Sequence, residues 1–118
     1  MGNTYKDLMV WQKSMQAAKC IYKLVKKLPK EETYALSDQM RRAAVSIPSN
    51  IAEGQSRTSH KEFARFLSIA KGSASELTTQ LELCVMIEYL TDEEIRESMQ
   101  LLDEIERMLH TMIQRFLK

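Results

Sequence analysis

The chain has 118 residues, 44% of them hydrophobic, enough for one core and not for two. Three glycines and two prolines are too few to punctuate a sheet-rich fold of this length, which argues against β structure. Lys+Arg 17 against Asp+Glu 16 leaves a formal net charge of +1, and bulk charge therefore excludes both a strongly basic nucleic-acid protein and an acidic disordered tail.

Apolar residues of the first segment fall at Leu8, Trp11, Met15, Ala18, Tyr22 and Val25, the spacing of one helix face, which no strand alternation reproduces. A second stripe of Val10, Ala17, Ile21, Leu24 and Leu28 lies beside it. Together they cover about half of a helix predicted over 7–28 and ended by Pro29, more than one neighbour requires. A second helix is predicted over 34–53, with Leu36, Met40, Ala43, Ala44, Ile47 and Ile51 inward and Gly54 as its stop. Pro48 inside it removes the bond to the Ala44 carbonyl, so a kink one turn earlier is expected, without an end to the helix. Ser59 and Glu62 have the spacing of a capping box opening a third helix over 59–89. Its inner face is Phe63, Phe66, Leu67, Ala70, Ala74, Leu77, Leu81 and Cys84. Thr91 and Glu94 form a second box, with Leu90 and Ile95 as its hydrophobic staple, opening a fourth helix over 92–117. Short connections make sequential helices antiparallel, so 1–118 reads as a single all-α domain, an antiparallel up-down-up-down four-helix bundle. Half-apolar helices on so slim a rod expose hydrophobic surface unless subunits associate, and eight methionines suit such an adaptable surface.

Cys20 and Cys84 are isolated within apolar stretches and read as buried, reduced thiols. No apolar run nears the ~20 residues of a membrane span. The start, MGNTYKDLMVWQ, lacks the layout of a signal peptide, so a cytoplasmic protein is expected. The Glu-x-x-His pairs of a di-iron bundle are missing, as are a glycine-rich phosphate loop and a Ser-His-Asp or Cys-His set. His60 and His110 read as surface residues. The expectation is no enzyme, no metal and no cofactor.

Two constellations remain. In QMRRAAVSIPSNIAEG, at about 100° per residue, Gln39, Arg42, Ser46, Asn50 and Glu53 share a polar stripe, and Glu62, Ser73, Glu76 and Gln80 form another on the third helix. These predict a structural polar network in which Arg41 or Arg42 pairs with Glu53 or Glu76, and Asn50 satisfies backbone freed near Pro48. The second constellation is charge. Residues 1–71 hold thirteen basic and six acidic side chains, +7, and residues 72–118 hold four and ten, −6. Lys23, Lys26 and Lys27 near the end of the first helix, and Arg57, Lys61 and Arg65 around the start of the third, are expected to share one end of the rod as a phosphate-binding patch for RNA or DNA. The alternative is a solvated face serving self-assembly and a protein partner only.

The stretches LMVWQKSM, LPKEETYALSDQMRRAAVSIPSNIAEG, SHKEFARFLSIAKGSASEL and TQLELCVMIEYL together resemble the four-helix-bundle proteins encoded by intervening sequences within bacterial 23S rRNA genes. SIPSNIAEG and AKGSASEL occur in that family's order and spacing. The family is in turn similar to the accessory variability protein of diversity-generating retroelements, a pentameric barrel that binds nucleic acid and a reverse transcriptase. The resemblance implies a bundle assembled as a homopentamer, with Arg41, Arg42, Asn50, Glu53 and Glu76 as fold-defining positions. The retroelement relatives are markedly basic and this chain is not. A ring displaying five basic ends would bind through multivalency where one subunit would not.

Overall fold

The computed structural model describes residues 4–118. Thr4 opens the described chain by accepting from the Lys6 N–H, and Asp7 reaches back to the Thr4 N–H, capping a single 3-10 turn at Tyr5–Asp7. Four helices follow: α1 (Met9–Val25), α2 (Leu36–Gln55), α3 (His60–Met86) and α4 (Asp92–Phe116). A second 3-10 turn, Lys30–Glu32, lies between α1 and α2.

Each helix packs on the next and α4 closes on α1, while the diagonal pairs α1/α3 and α2/α4 do not meet. The result is a square, antiparallel bundle of 43 × 22 × 21 Å. Antiparallel register is fixed by side-chain pairs along each seam. Lys13 of α1 and Lys27 just beyond its end reach Glu104 and Glu94 of α4, and Ser75 and Phe63 of α3 meet Glu106 and Phe116 of α4. Two ends follow from this topology. The loop end holds the α1–α2 connection and the α3–α4 turn; the terminal end holds the α2–α3 turn, the start of α1 and the end of α4.

The core runs the length of the rod, with Ile21, Met40, Ile47, Ile51, Leu67, Leu77, Leu81, Leu102, Ile105 and Leu109 fully buried. On α1 the face that enters it is the second stripe, Val10, Ala17, Ile21, Leu24 and Leu28, joined by Ser14, whose hydroxyl donates to the Val10 carbonyl. Of the first stripe, Val25 is buried in the core as well, and Tyr22 lies on the flank towards α2 beside Arg41, Arg42 and Val45. Met15 and Tyr22 are 47% and 44% exposed. Ala43 and Ala44 of α2 oppose Ala70 and Ala74 of α3, all buried, and the absence of bulk lets Ser73 donate directly to Ser46 across the seam at 2.8 Å.

The helix boundaries carry four corrections. α1 runs over Met9–Val25 and not 7–28; it gives way before Pro29 to turns in which the Lys27 and Leu28 N–H groups donate to the Leu24 and Val25 carbonyls. α2 continues through Pro48, as expected, but also through Gly54, which is buried inside the helix and does not end it. A Cβ at that position would stand 2.8 Å from Phe66 Cβ and 2.9 Å from Phe63 Cδ1, so glycine is required by close approach of α3. Ser59 caps α3 by accepting from the Glu62 N–H at 3.1 Å, but Glu62 does not return the bond, leaving half of the predicted box. α3 stops at Met86, three residues early, because Glu88 turns to φ 64° and lets the Tyr89 and Leu90 N–H groups both donate to the Cys84 carbonyl. The Thr91/Glu94 box forms in full.

Candidate nucleic-acid interface

The two basic groups do not share an end. Odd-numbered helices of an up-down-up-down bundle run parallel, so the C-terminus of α1 and the N-terminus of α3 lie at opposite ends. Lys27 accordingly meets the first turn of α4, through Glu94 Oε2 at 2.8 Å, whereas His60 meets its last turn, ring to ring with Phe116 at 4.7 Å. The 25 residues of α4 between them span roughly 37 Å at 1.5 Å per residue.

At the loop end the lysines are surrounded by carboxylates. Residues 23–38 and 82–97 contain five basic and nine acidic side chains, a formal −4. Lys23 and Lys27 line a shallow surface hollow with Glu94 and Glu97. Glu94 accepts from both Lys27 and the Thr91 N–H, and these bonds hold its carboxyl below the usual carboxylate range. Across the same end, Tyr89 donates to Glu32 Oε2 at 2.8 Å, a bond that raises the phenol. Burial, then the charge and hydrogen bond of Glu97, raises the Cys20 thiol. Burial, then the Glu32 charge, raises that of Cys84. Neither cysteine has the depressed pKa of a reactive thiol.

The terminal end is the reverse. Residues 4–13, 51–67 and 108–118 contain seven basic and three acidic side chains, a formal +4. Arg57 Nη2 bonds Glu53 Oε2 at 2.7 Å while its guanidinium lies 4.7 Å from the centre of the Phe66 ring. Lys61 and Arg65 are exposed on α3, and neither they nor Arg115 and Lys118 form an ion pair among the described residues. At the same end stands an aromatic column that sequence reasoning missed: His60 on Phe116, and Phe116 on Phe63 at 4.8 Å. The signal was present, since a first-turn Phe63 and a last-turn Phe116 on consecutive antiparallel helices must meet.

The predicted polar network has other partners than those expected. Arg42 Nε bonds Asp38 Oδ2 at 2.9 Å, and Arg41 donates to the Thr33 carbonyl at 3.0 Å. Glu53 holds Arg57, and Glu76 receives only the Gln80 amide at 3.3 Å. Asn50 donates to the Ser46 carbonyl and hydroxyl, not to the carbonyl of Ala44 that Pro48 leaves free. The physical reason is locality. Asp38/Arg42 and Glu53/Arg57 are four residues apart along the chain and meet at little entropic cost, which takes Arg42 and Glu53 out of the cross-helix competition. The link between α2 and α3 is instead the Ser46–Ser73 bond, with Asn50 orienting Ser46. Gln80 Oε1 is buried without a partner.

Among the described residues no group of three or more His, Cys, Asp and Glu side chains is placed to hold a metal ion, and no helix is long and apolar enough to cross a membrane. His60 and His110 are exposed, as expected.

The fold defines the class first: an all-helical, up-down-up-down four-helix bundle protein. Residues 6–111 match the model of the 23S rRNA-intervening sequence proteins, and the chain belongs to that family. It is similar, at 33% identity and a TM-score of 0.82, to the crystal structure of a protein of unknown function from the S23 ribosomal protein family of Bacteroides thetaiotaomicron, over 89% of this chain and 98% of that one. No curated protein matches the chain. Neither match carries a catalytic activity in its description.

Proposed function

We propose that the protein is a non-catalytic cytoplasmic subunit of a homo-oligomer, pentameric as the family resemblance implies, whose terminal end binds nucleic acid. The observation that carries this reading is the +4 concentrated at that end, with Lys61, Arg65, Arg115 and Lys118 free of ion pairs among the described residues. Lys23, Lys26 and Lys27 contribute less, because the carboxylates around them already supply counter-charge. Binding of this kind is driven by counterion release and reads no sequence.

Assembly is supported by two unlike flanks. The α1–α2 flank exposes Met15, Tyr22 and Val45 beside Arg41 and Arg42. On the opposite side, the α3–α4 flank offers Met99 among Glu82, Asp92 and Asp103, which outnumber the one cation there, Arg96. A basic-apolar face meeting an acidic-apolar face on the next subunit is a heterologous contact, which closes into a ring when the rotation permits.

A salt titration of binding to generic RNA and to duplex DNA tests the first half of the reading. Binding at ~50 mM salt that falls steeply as salt rises is expected, because counterion release is strongest at low ionic strength. No binding there overturns it. That outcome favours the second reading, a module for protein contacts alone, for which the exposed Leu83, Met86 and Ile87 at the loop end of α3 speak. Light scattering after size exclusion tests assembly, and a clean monomer overturns the ring.

A further inference from the structure

The terminal end is not merely positive. Its cations share that end with a short stack of rings whose outermost member is in contact with solvent. Phe63 is half-buried against the core, Phe116 covers it at 4.8 Å with 27° between planes, and His60 covers Phe116 at 4.7 Å with 31° between planes. His60, the end member of the column, is an exposed residue in contact with solvent. Lys61 and Arg65 are exposed on the same first turns of α3, Arg115 is exposed next to Phe116 on α4, and Arg57 is held over Phe66.

An exposed imidazole on a pair of phenylalanines costs the free protein little and contributes little to its core. It does offer a preorganised π-face. A base laid on it extends the stack by one ring while the neighbouring cations meet the flanking phosphates, the combination by which single strands are held without sequence preference. A duplex cannot use this face, because its bases are already stacked and paired, and it would see only the charge.

We infer that the terminal end selects single-stranded over double-stranded nucleic acid, DNA or RNA alike, by stacking an unpaired base on His60, which the Phe116–Phe63 pair holds in place. This rests on the nucleic-acid reading above and adds the strandedness of the ligand to it.

The test is fluorescence anisotropy on the full-length oligomer with labelled oligo(dT) and oligo(U) of ~15 nucleotides, and a duplex of the same length, at ~50 mM salt. Both single strands are expected to bind roughly tenfold tighter than the duplex, within the range of one stacked base. His60→Ala is expected to remove that preference while leaving duplex affinity within about twofold, and His60→Trp to keep or raise it. Lys61→Ala with Arg65→Ala is expected to weaken all three ligands together. Equal affinity of wild type for strand and duplex, or an equal loss on all ligands in His60→Ala, overturns the inference and leaves the charge-driven reading intact. Failure of every ligand to bind overturns both. Because His60 is exposed, its replacement does not open the core, and an unchanged melting curve confirms that the readout is binding.

Discussion

The two ends of the rod are built from the same four helices and differ in almost every respect that governs what they meet. At the loop end, nine acidic side chains outnumber five basic ones, and the lysines of α1 are engaged or flanked by carboxylates of α4. At the terminal end, seven basic side chains outnumber three acidic ones, five cations have no ion-pair partner among the described residues, and aromatic rings stack at the same end. A net charge of +1 thus conceals opposed ends of −4 and +4, with a middle of +1 between them. Charge counted along the chain splits it as +7 then −6, but that division runs across helices and not along the rod. What a partner senses is the spatial division.

The largest effect that sharpens this contrast concerns how each end is closed. At the terminal end glycine is obligatory by contact. Gly54→Ala places a methyl 2.8 Å from Phe66 Cβ, an atom tied to backbone, so α2 and α3 must separate locally. A loss of about 1–3 kcal/mol in denaturant unfolding is expected, the range for overpacking a tight contact. At the loop end the relation is inverted, because Glu88 occupies φ 64°, a conformation that glycine adopts without strain. Glu88→Gly is expected to be neutral or to stabilise by up to ~1 kcal/mol, the relief of strain partly offset by a more flexible unfolded chain. If Gly54→Ala melts like wild type, close approach does not distinguish the ends.

Charge reversal is expected to give the next largest effect. Lys61→Glu with Arg65→Glu should weaken binding of generic RNA by roughly tenfold or more at ~50 mM salt and lower the steepness of its salt dependence, since phosphate contacts are removed. Lys23→Glu with Lys26→Glu, equal in charge and placed at the loop end, should change affinity by less than about twofold. Equal losses from the two pairs would mean that the whole rod, not one end, attracts the polyanion.

Much of this was legible in the residues. Helix number, order and approximate bounds follow from periodicity and from capping spacings, and the Thr91/Glu94 box forms in full because both partners of a capping box lie within one turn. What the residues did not disclose depends on three dimensions. Gly54 has the look of a helix stop, and only the approach of Phe63 and Phe66 shows that it is a contact glycine. On α1 two apolar stripes lay side by side, and which one enters the core depends on where α2 and α4 sit. The two basic groups lie at opposite ends because α1 and α3 run in the same direction, which places the end of one helix away from the start of the other. The arginine pairs were legible all along as i, i+4 spacings, and the cross-helix alternative required distances that local pairs pre-empt. The aromatic column needed the register of α3 against α4, which the chain order alone supplies only once the topology is drawn.

The smallest expected effect is a pH signature confined to the loop end. Glu94 is held below the ordinary carboxylate value of 4.5 by its bonds from Lys27 and the Thr91 N–H, so the folded state binds its proton more weakly than the unfolded chain does. Its contribution to stability is therefore complete above that ordinary value and is lost as pH falls through the lower, folded one. Tyr89 is shifted the other way, above 10.0, by donating to Glu32; its contribution is complete below that value and is lost as pH rises through the higher, folded one. Melting temperatures measured across pH for wild type, Glu94→Gln and Tyr89→Phe should show it. The gap between wild type and Glu94→Gln closes only in acid, and the gap between wild type and Tyr89→Phe closes only in strong alkali. Each gap is smaller than that of Gly54→Ala, because both bonds lie at the surface, where water competes for the same groups. A Tyr89→Phe gap that persists unchanged through strong alkali would show that the phenol's bond to Glu32 does not hold the α3–α4 turn, and that the loop end is closed by the backbone turn at Glu88 and the Thr91 cap without it.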